Sequence, residues 1–288
     1  MKKFGVIIMM GILSLTLVGC FKRDNFEDID IYTTAYPIEY ITNFLYGEHS
    51  TIHSIYPNGV NISTYKLTEK QIKDYSKSSL FVFNGLSKEK DYVIPMVEQN
   101  TNLKIIDTSL TMEFEHGIEE LWLNPSNFLM LTQNIRNGLK EYINNHYLKN
   151  DINDKYDELK VKISEIDAEL KLMAESSDNK TIVVASDIFQ FLEKYNFNVI
   201  SLEENENLTE KKIIDVENMI YKGEIDYIFL PDNMEETNTI KMIKANTNVE
   251  IAKLYTLSNL TEEQITAKKD YLSIMNENIE SLKNELYD

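Results

Sequence analysis

An α/β fold of two βα lobes with parallel sheets, joined by a long linking helix and facing each other across a cleft, is predicted by three features of this sequence. Strand-length apolar runs alternate with stretches of helical apolar spacing over residues 29–107, and again over residues 181–255. Such alternation implies parallel strands whose faces are covered by helices. Between the two blocks it stops, and two helical stretches follow one another with no strand between them. The resulting division is 1–19 signal peptide, 20–28 lipidated tether, 29–148 N-terminal lobe, 149–176 linking helix and 177–288 C-terminal lobe.

The leader comes first. "MKK" is a positive start, "FGVIIMMGILSLTLV" is an apolar core too short for a comfortable membrane span, and Leu17-Val18-Gly19-Cys20 has the form of a bacterial lipobox. Cys20 would be lipidated and become the new N-terminus, placing the protein outside the cytoplasm on a lipid anchor. It is the only cysteine, so neither a disulfide nor a cysteine-based zinc site is available.

In the N-terminal lobe, residues 29–35, 51–56, 79–84 and 103–107 read as strands. "PIEYITNFLYG", "EKQIKDYSK" and part of "EKDYVIPMVEQN" between them carry helical spacing, Pro95 shortening or kinking the last. In the linker, Tyr156, Leu159, Ile163, Ile166 and Leu170 recur every three to four residues among charged ones, which makes a long amphipathic helix. The second block places strands at 181–186, 198–202, 226–230 and 249–255, and "EEQITAKKDYLSIMNENIESLKNELY" reads as one closing amphipathic helix. Ligands of open parallel sheets bind outside the carboxyl ends of the strands, so the loops after residues 56, 107, 186 and 230 or 255 should floor the cleft.

Net charge is −18, and loss of Lys2 and Lys3 with the leader makes it more negative still. That balance argues against nucleic acid, whose binding depends on cationic contacts to phosphates. It is compatible with attraction of cations. No GxSxG, HExxH, P-loop or glycine-rich nucleotide fingerprint is present, so the chain is not expected to be an enzyme.

Several segments, in order, resemble the solute-binding lipoproteins of bacterial zinc and manganese ABC importers. "IYTTAYPIEYITNFLYG" looks like their first strand and helix, and "SIYPNGVNISTYKLTEKQI" like their P-x-G-x-x-P-H-x-[YF]-x-P-[ST] loop. "SSLFVFNGL" is similar to A-D-L-[VF]-[VF]-x-N-G-L, "ELWLNPSN" to D-P-H-[VI]-W-[LM]-[DS]-P, and "VVASDIFQFL" to T-x-H-x-[AS]-F-x-Y-[LF]. "KDYLSIMNENIESL" matches the terminal helix. The resemblance implies cargo capture in the interlobe cleft and delivery to a permease and ATPase in the membrane, by a monomer held there through its lipid.

Carried across residue by residue, the family's three metal-binding histidines fall on Ser63, Glu120 and Ser186, and the late aspartate of some members on Leu257. Neutral hydroxyls are poor zinc donors, so the resemblance implies a degenerate site for zinc or manganese, with Asp187 and His116 as extra candidates. Glu120, beside Trp122, either binds a cation or meets a lysine or backbone donors. His116 lies among Glu113, Glu115, Glu119 and Glu120 in what is either a solvated acidic loop or a weak His–carboxylate site. Tyr36, Tyr65 and Trp122 lie in segments that line the family cleft. The alternative is a divergent member that has lost metal binding and takes another solute, or serves as an adhesion or structural lipoprotein.

Overall fold

A computed structural model describes residues 24–287; the signal segment, Cys20 and the first tether residues lie outside the described residues. Eight strands form two sheets. β1 (Ile29–Thr33), β2 (Ser50–Ser54), β3 (Leu80–Phe83) and β4 (Lys104–Asp107) lie in the order β2-β1-β3-β4, all parallel. β5 (Thr181–Val184), β6 (Asn198–Ser201), β7 (Tyr227–Pro231) and β8 (Glu250–Leu254) repeat that order as β6-β5-β7-β8. The strand order therefore reverses between β1 and β3 and between β5 and β7, the places where crevices open at the carboxyl ends of such sheets. β3, buried at all four positions, is a central strand covered on both faces.

Helix starts follow local chemistry. α1 (Tyr36–Tyr46) begins with Pro37, whose fixed φ suits a first turn. α2 (Glu69–Tyr75) is closed by a capping box, Thr68 accepting from the Gln71 amide and Gln71 reaching back. α3 (Val93–Gln99) and the single turn α4 (Glu120–Leu123) are followed by α5 (Pro125–Tyr142), capped by the Asn124 side chain. α6 (His146–Ser176) is the linker, 31 residues and ~46 Å at 1.5 Å per residue. The C-terminal lobe adds α7 (Glu210–Tyr221), α8 (Asn238–Asn246), α9 (Glu262–Thr266) and α10 (Tyr271–Leu286).

The closing segment, expected as one helix, is two. Lys268 turns to φ +54°, and Asp270 caps α10 by accepting from the Ser273 amide, an option that competes with continued helix. The stretch around Glu120 is a helical turn, with the Leu123 amide donating to the Glu119 carbonyl at 2.8 Å.

One apolar cluster runs through both lobes. Leu159, Ile163, Ile166 and Leu170 of α6 join Ile31, Leu45 and Phe128 on one side and Phe189, Leu254 and Tyr271 on the other. His49 Nε2 meets Asp151 Oδ2 at 2.9 Å, tying the start of β2 to the same helix. At the amino end, Asp24 is buried and accepts from the backbone amides of Phe26, Asn144 and Asn145 at 2.7–2.9 Å. Those bonds pull its carboxyl below the usual range against the opposing effect of burial.

At the amino end of β7, Glu285 of α10 is buried and accepts from the amides of Asp226 and Tyr227, the latter at 2.7 Å. Burial dominates those bonds and pushes its carboxyl up to about 7. Between its ordinary value and 7 the folded chain holds a proton that the unfolded chain releases, so this contribution is full below about pH 4.5 and fades as pH rises through 7. Glu285→Gln should therefore flatten the decline in stability between pH 5 and 8 by on the order of 2 kcal/mol. Parallel urea titrations of both proteins across that range check it; equal pH slopes would refute the assignment.

Candidate functional site

The cleft lies where the loops at the carboxyl ends of the two sheets meet, and it is bridged by protein–protein hydrogen bonds. Gly59, at φ +71° in the loop after β2, donates its amide to the Leu260 carbonyl at 2.9 Å. The Asn259 amide donates to the carbonyls of Pro57 and Val60 at 2.8 and 3.1 Å. Tyr36, at the start of α1, donates its backbone amide to the Ser258 carbonyl. Deeper in, Trp122 Nε1 donates to the Thr256 carbonyl at 2.8 Å, and the Tyr271 hydroxyl donates to the Trp122 carbonyl. Trp122 is 1% exposed, so it packs beneath the cleft rather than facing it.

The sequence-derived candidates are spread over this region, each already engaged. Ser63 is exposed, and its hydroxyl donates to Asn61 Oδ1 at 2.7 Å. Glu120 Oε2 accepts from the backbone amides of Glu115 and His116 at 3.0 and 3.3 Å, folding the acidic loop back onto α4. His116 is thereby brought next to Glu120 through its backbone, while its ring reaches only Glu115, at 3.8 Å. Ser186 and Asp187, after β5, share Glu203: the hydroxyl and the Asp187 amide donate to its Oε2 at 3.0 and 2.6 Å. The Asp187 carboxylate takes the Asn205 amide at 3.0 Å. Tyr65 stands edge-on to Tyr56 and accepts from Gln71. Leu257 is buried in the apolar core at φ +58°. Among the described residues, no three His, Cys, Asp or Glu side chains gather closely enough to hold a metal ion.

The residue that does turn inward is the neighbour of a candidate. Successive residues of a helix point about 100° apart, so Glu119 and Glu120 look in different directions. Burial raises the Glu119 carboxyl above its usual range, the nearby Glu203 carboxylate adds to that, and the enclosed Ser258 hydroxyl lies against it. Ser258 Oγ makes no well-aligned hydrogen bond. The loop carrying Glu119 passes close to the other lobe because Gly117, at φ +135°, lacks the Cβ that would meet Ile188 at 2.7 Å. A carboxyl with a raised pKa in a cleft is a functional-site signal. Motif matching does not single it out, because the motif aligns Glu120 with the histidine.

Beside Ser258, a cavity of about 300 Å³ opens between the lobes. Asn61 and Ile62 line it from the loop after β2, Asp232 and Asn233 from the loop after β7, and Thr256 and Ser258 from the loop after β8. Asp232 Oδ1 accepts from the Thr256 amide at 2.8 Å.

Two parallel-sheet lobes with a cleft at their strand ends define a two-lobed solute-binding protein. The family described as "ZnuA: Zinc-uptake complex component A periplasmic" matches residues 31–285, and the chain belongs to it. The manganese ABC transporter substrate-binding lipoprotein PsaA of Streptococcus pneumoniae is 24% identical over 318 residues, covering 98% of each chain. The zinc-binding lipoprotein AdcA of the same species is 21% identical over 316 residues, covering 98% of this chain and 61% of its own. Among solved structures, the Zn(II)-bound ZnuA-like domain of that AdcA superposes with a TM-score of 0.73 at 19% identity, covering 91% of this chain and all of that domain. The laminin-binding protein Lbp of Streptococcus pyogenes superposes at 0.69 with 17% identity, covering 90% and 99%.

Trp122→Phe removes the only bond from this indole to the other lobe and leaves the Thr256 carbonyl short of a donor. A loss of about 2–3 kcal/mol in urea unfolding is expected from the cavity and the lost hydrogen bond together. A change below about 0.5 kcal/mol, the scale of an ordinary surface substitution, would contradict the bridging role.

Proposed function

We propose that this chain is the surface-anchored receptor of an ABC importer of the zinc and manganese uptake class, with a degenerate metal site. It captures a solute between its lobes and hands it to a permease and its ATPase, and catalyses no reaction. Family membership over nearly the whole chain supports the receptor role. The observation that carries the degenerate site is the engagement of every family-equivalent position. Ser63 is bonded to Asn61, Glu120 to two backbone amides, Ser186 to Glu203, and Leu257 is apolar core. Zinc prefers imidazole and thiolate ligands in a closed tetrahedron, and these positions offer hydroxyls and a committed carboxylate.

Anchoring follows from the leader together with the clamp on Asp24. Three residues separate Cys20 from Asp24, four backbone steps that reach at most ~14 Å when extended. A lipid on Cys20 would therefore hold the corner between α5 and α6, where Asn144 and Asn145 grip Asp24, close to the membrane. The cleft, at the opposite ends of the strands, would open away from the lipid on that side.

Calorimetric titration of residues 21–288, stripped of metal, tests the degenerate site. Zinc and manganese should both bind no more tightly than about 10 µM, roughly −7 kcal/mol. Glu120→Ala should leave those isotherms unchanged and lower stability by about 1–2 kcal/mol through its two lost acceptor contacts. Stoichiometric binding below 1 µM that disappears in Glu120→Ala would overturn the reading.

A further inference from the structure

We propose that the interlobe cavity beside Asp232 is the cargo chamber and that its cargo is a small organic cation carrying a primary ammonium group. This rests on the receptor reading and names the solute class for it. At about 300 Å³ the chamber has the volume of about ten waters at ~30 Å³ each, the lower end of small-molecule pockets. A bare metal ion held by direct ligands needs far less room than that.

The position is the one the fold favours. Asp232 directly follows β7, and β5 and β7 flank the reversal of strand order in the C-terminal sheet. The lining chemistry then selects the charge. Asp232 is the only ionisable side chain on the wall, no lysine or arginine lines it, and no ion pair engages it among the described residues. One of its oxygens is held by the Thr256 amide, which orients the carboxylate and leaves the other for a ligand. An anion would meet an unpaired carboxylate there, with no compensating cation in the wall.

A primary ammonium has three donors and no acceptor, and needs acceptors around it. Asp232 supplies the charged one, and the Asn233 amide oxygen is a neutral one on the same wall. Ser258 is 6% exposed, and its Oγ makes no well-aligned hydrogen bond within the protein. Glu119 lies behind that hydroxyl, at the same end of the chamber. The wall carries no aromatic ring, so it offers no stacking face for a sugar or a nucleobase. Asn61 and Ile62 close the other side with an amide and an apolar surface suited to the stem of an alkylamine.

Ethanolamine, putrescine and agmatine, with glycerol, urea and acetate as uncharged and anionic comparators, can be titrated into metal-free residues 21–288 by calorimetry. Zinc and manganese are run on the same preparation. The expected result is saturable binding of at least one amine and none of the comparators. Asp232→Asn keeps the acceptor for the Thr256 amide and should weaken amine binding about 10- to 100-fold, the scale of one charge-assisted hydrogen bond. Absence of amine binding overturns the cargo assignment, and so does amine binding that is unchanged in Asp232→Asn. Submicromolar metal binding would instead sink the degenerate-site reading, so the two failures are distinguishable. Far-ultraviolet circular dichroism of the variant separates lost binding from lost fold.

Discussion

The bond from Trp122 to the Thr256 carbonyl is the contact on which the arrangement of the two lobes depends. It carries a side chain of the N-terminal lobe into the loop after β8, and the Tyr271 hydroxyl returns the contact to the Trp122 carbonyl. Around it, Phe128 and Tyr271 stack at 4.0 Å, and α6 runs beneath both lobes with its apolar stripe in one common cluster. A core that belongs to both lobes resists the wide hinge motion that separate cores would allow. Motion is left to the loops at the rim, where Gly59 and Asn259 hold the two sides together by three hydrogen bonds. Capture and release would then be loop events on a fixed frame.

The same frame shows how the two sides of the cleft are held by the protein's own groups. In a site closed by metal, the ion bridges the lobes. Here backbone carbonyls and amides bridge them, and the polar side chains nearby have turned to one another: Ser63 to Asn61, Ser186 to Glu203, Glu120 to the loop that precedes it. The Ser63 and Ser186 hydroxyls each find an acceptor, so holding them beside the cleft costs little. Glu119 is the exception, a carboxyl held above its usual pKa by burial with a second carboxylate nearby. Isolated charge in such a place is unfavourable unless something positive arrives.

Much of the fold was legible in the sequence. The eight strands of the described residues lie where apolar runs place them, and the central strands β3 and β7 are near-continuous runs because both of their faces are covered. The break at residues 267–270 was not legible by periodicity, since Lys268 and Asp270 sit in an unbroken helical spacing. Only the capping chemistry of Asp270 and Ser273, a local competition with the backbone, signals it. The site was legible only in part. Motif matching points to Ser63, Glu120 and Ser186, and it cannot see that a single helical turn at α4 sends Glu119 and Glu120 in different directions. Asp232, Asn233 and Ser258 belong to no motif; they follow strand ends, and only the sheet order brings them to one wall.

The central claim is that the cleft takes its closed shape from protein contacts alone. Hydrogen exchange at the Gly59 amide, which donates across the cleft to Leu260, reads this directly. In chelator-treated protein that amide should be protected relative to the neighbouring exposed amides of its loop, and added zinc or manganese should leave its rate unchanged. Free exchange that slows only when metal is added would show that an ion closes the cleft and would contradict the account.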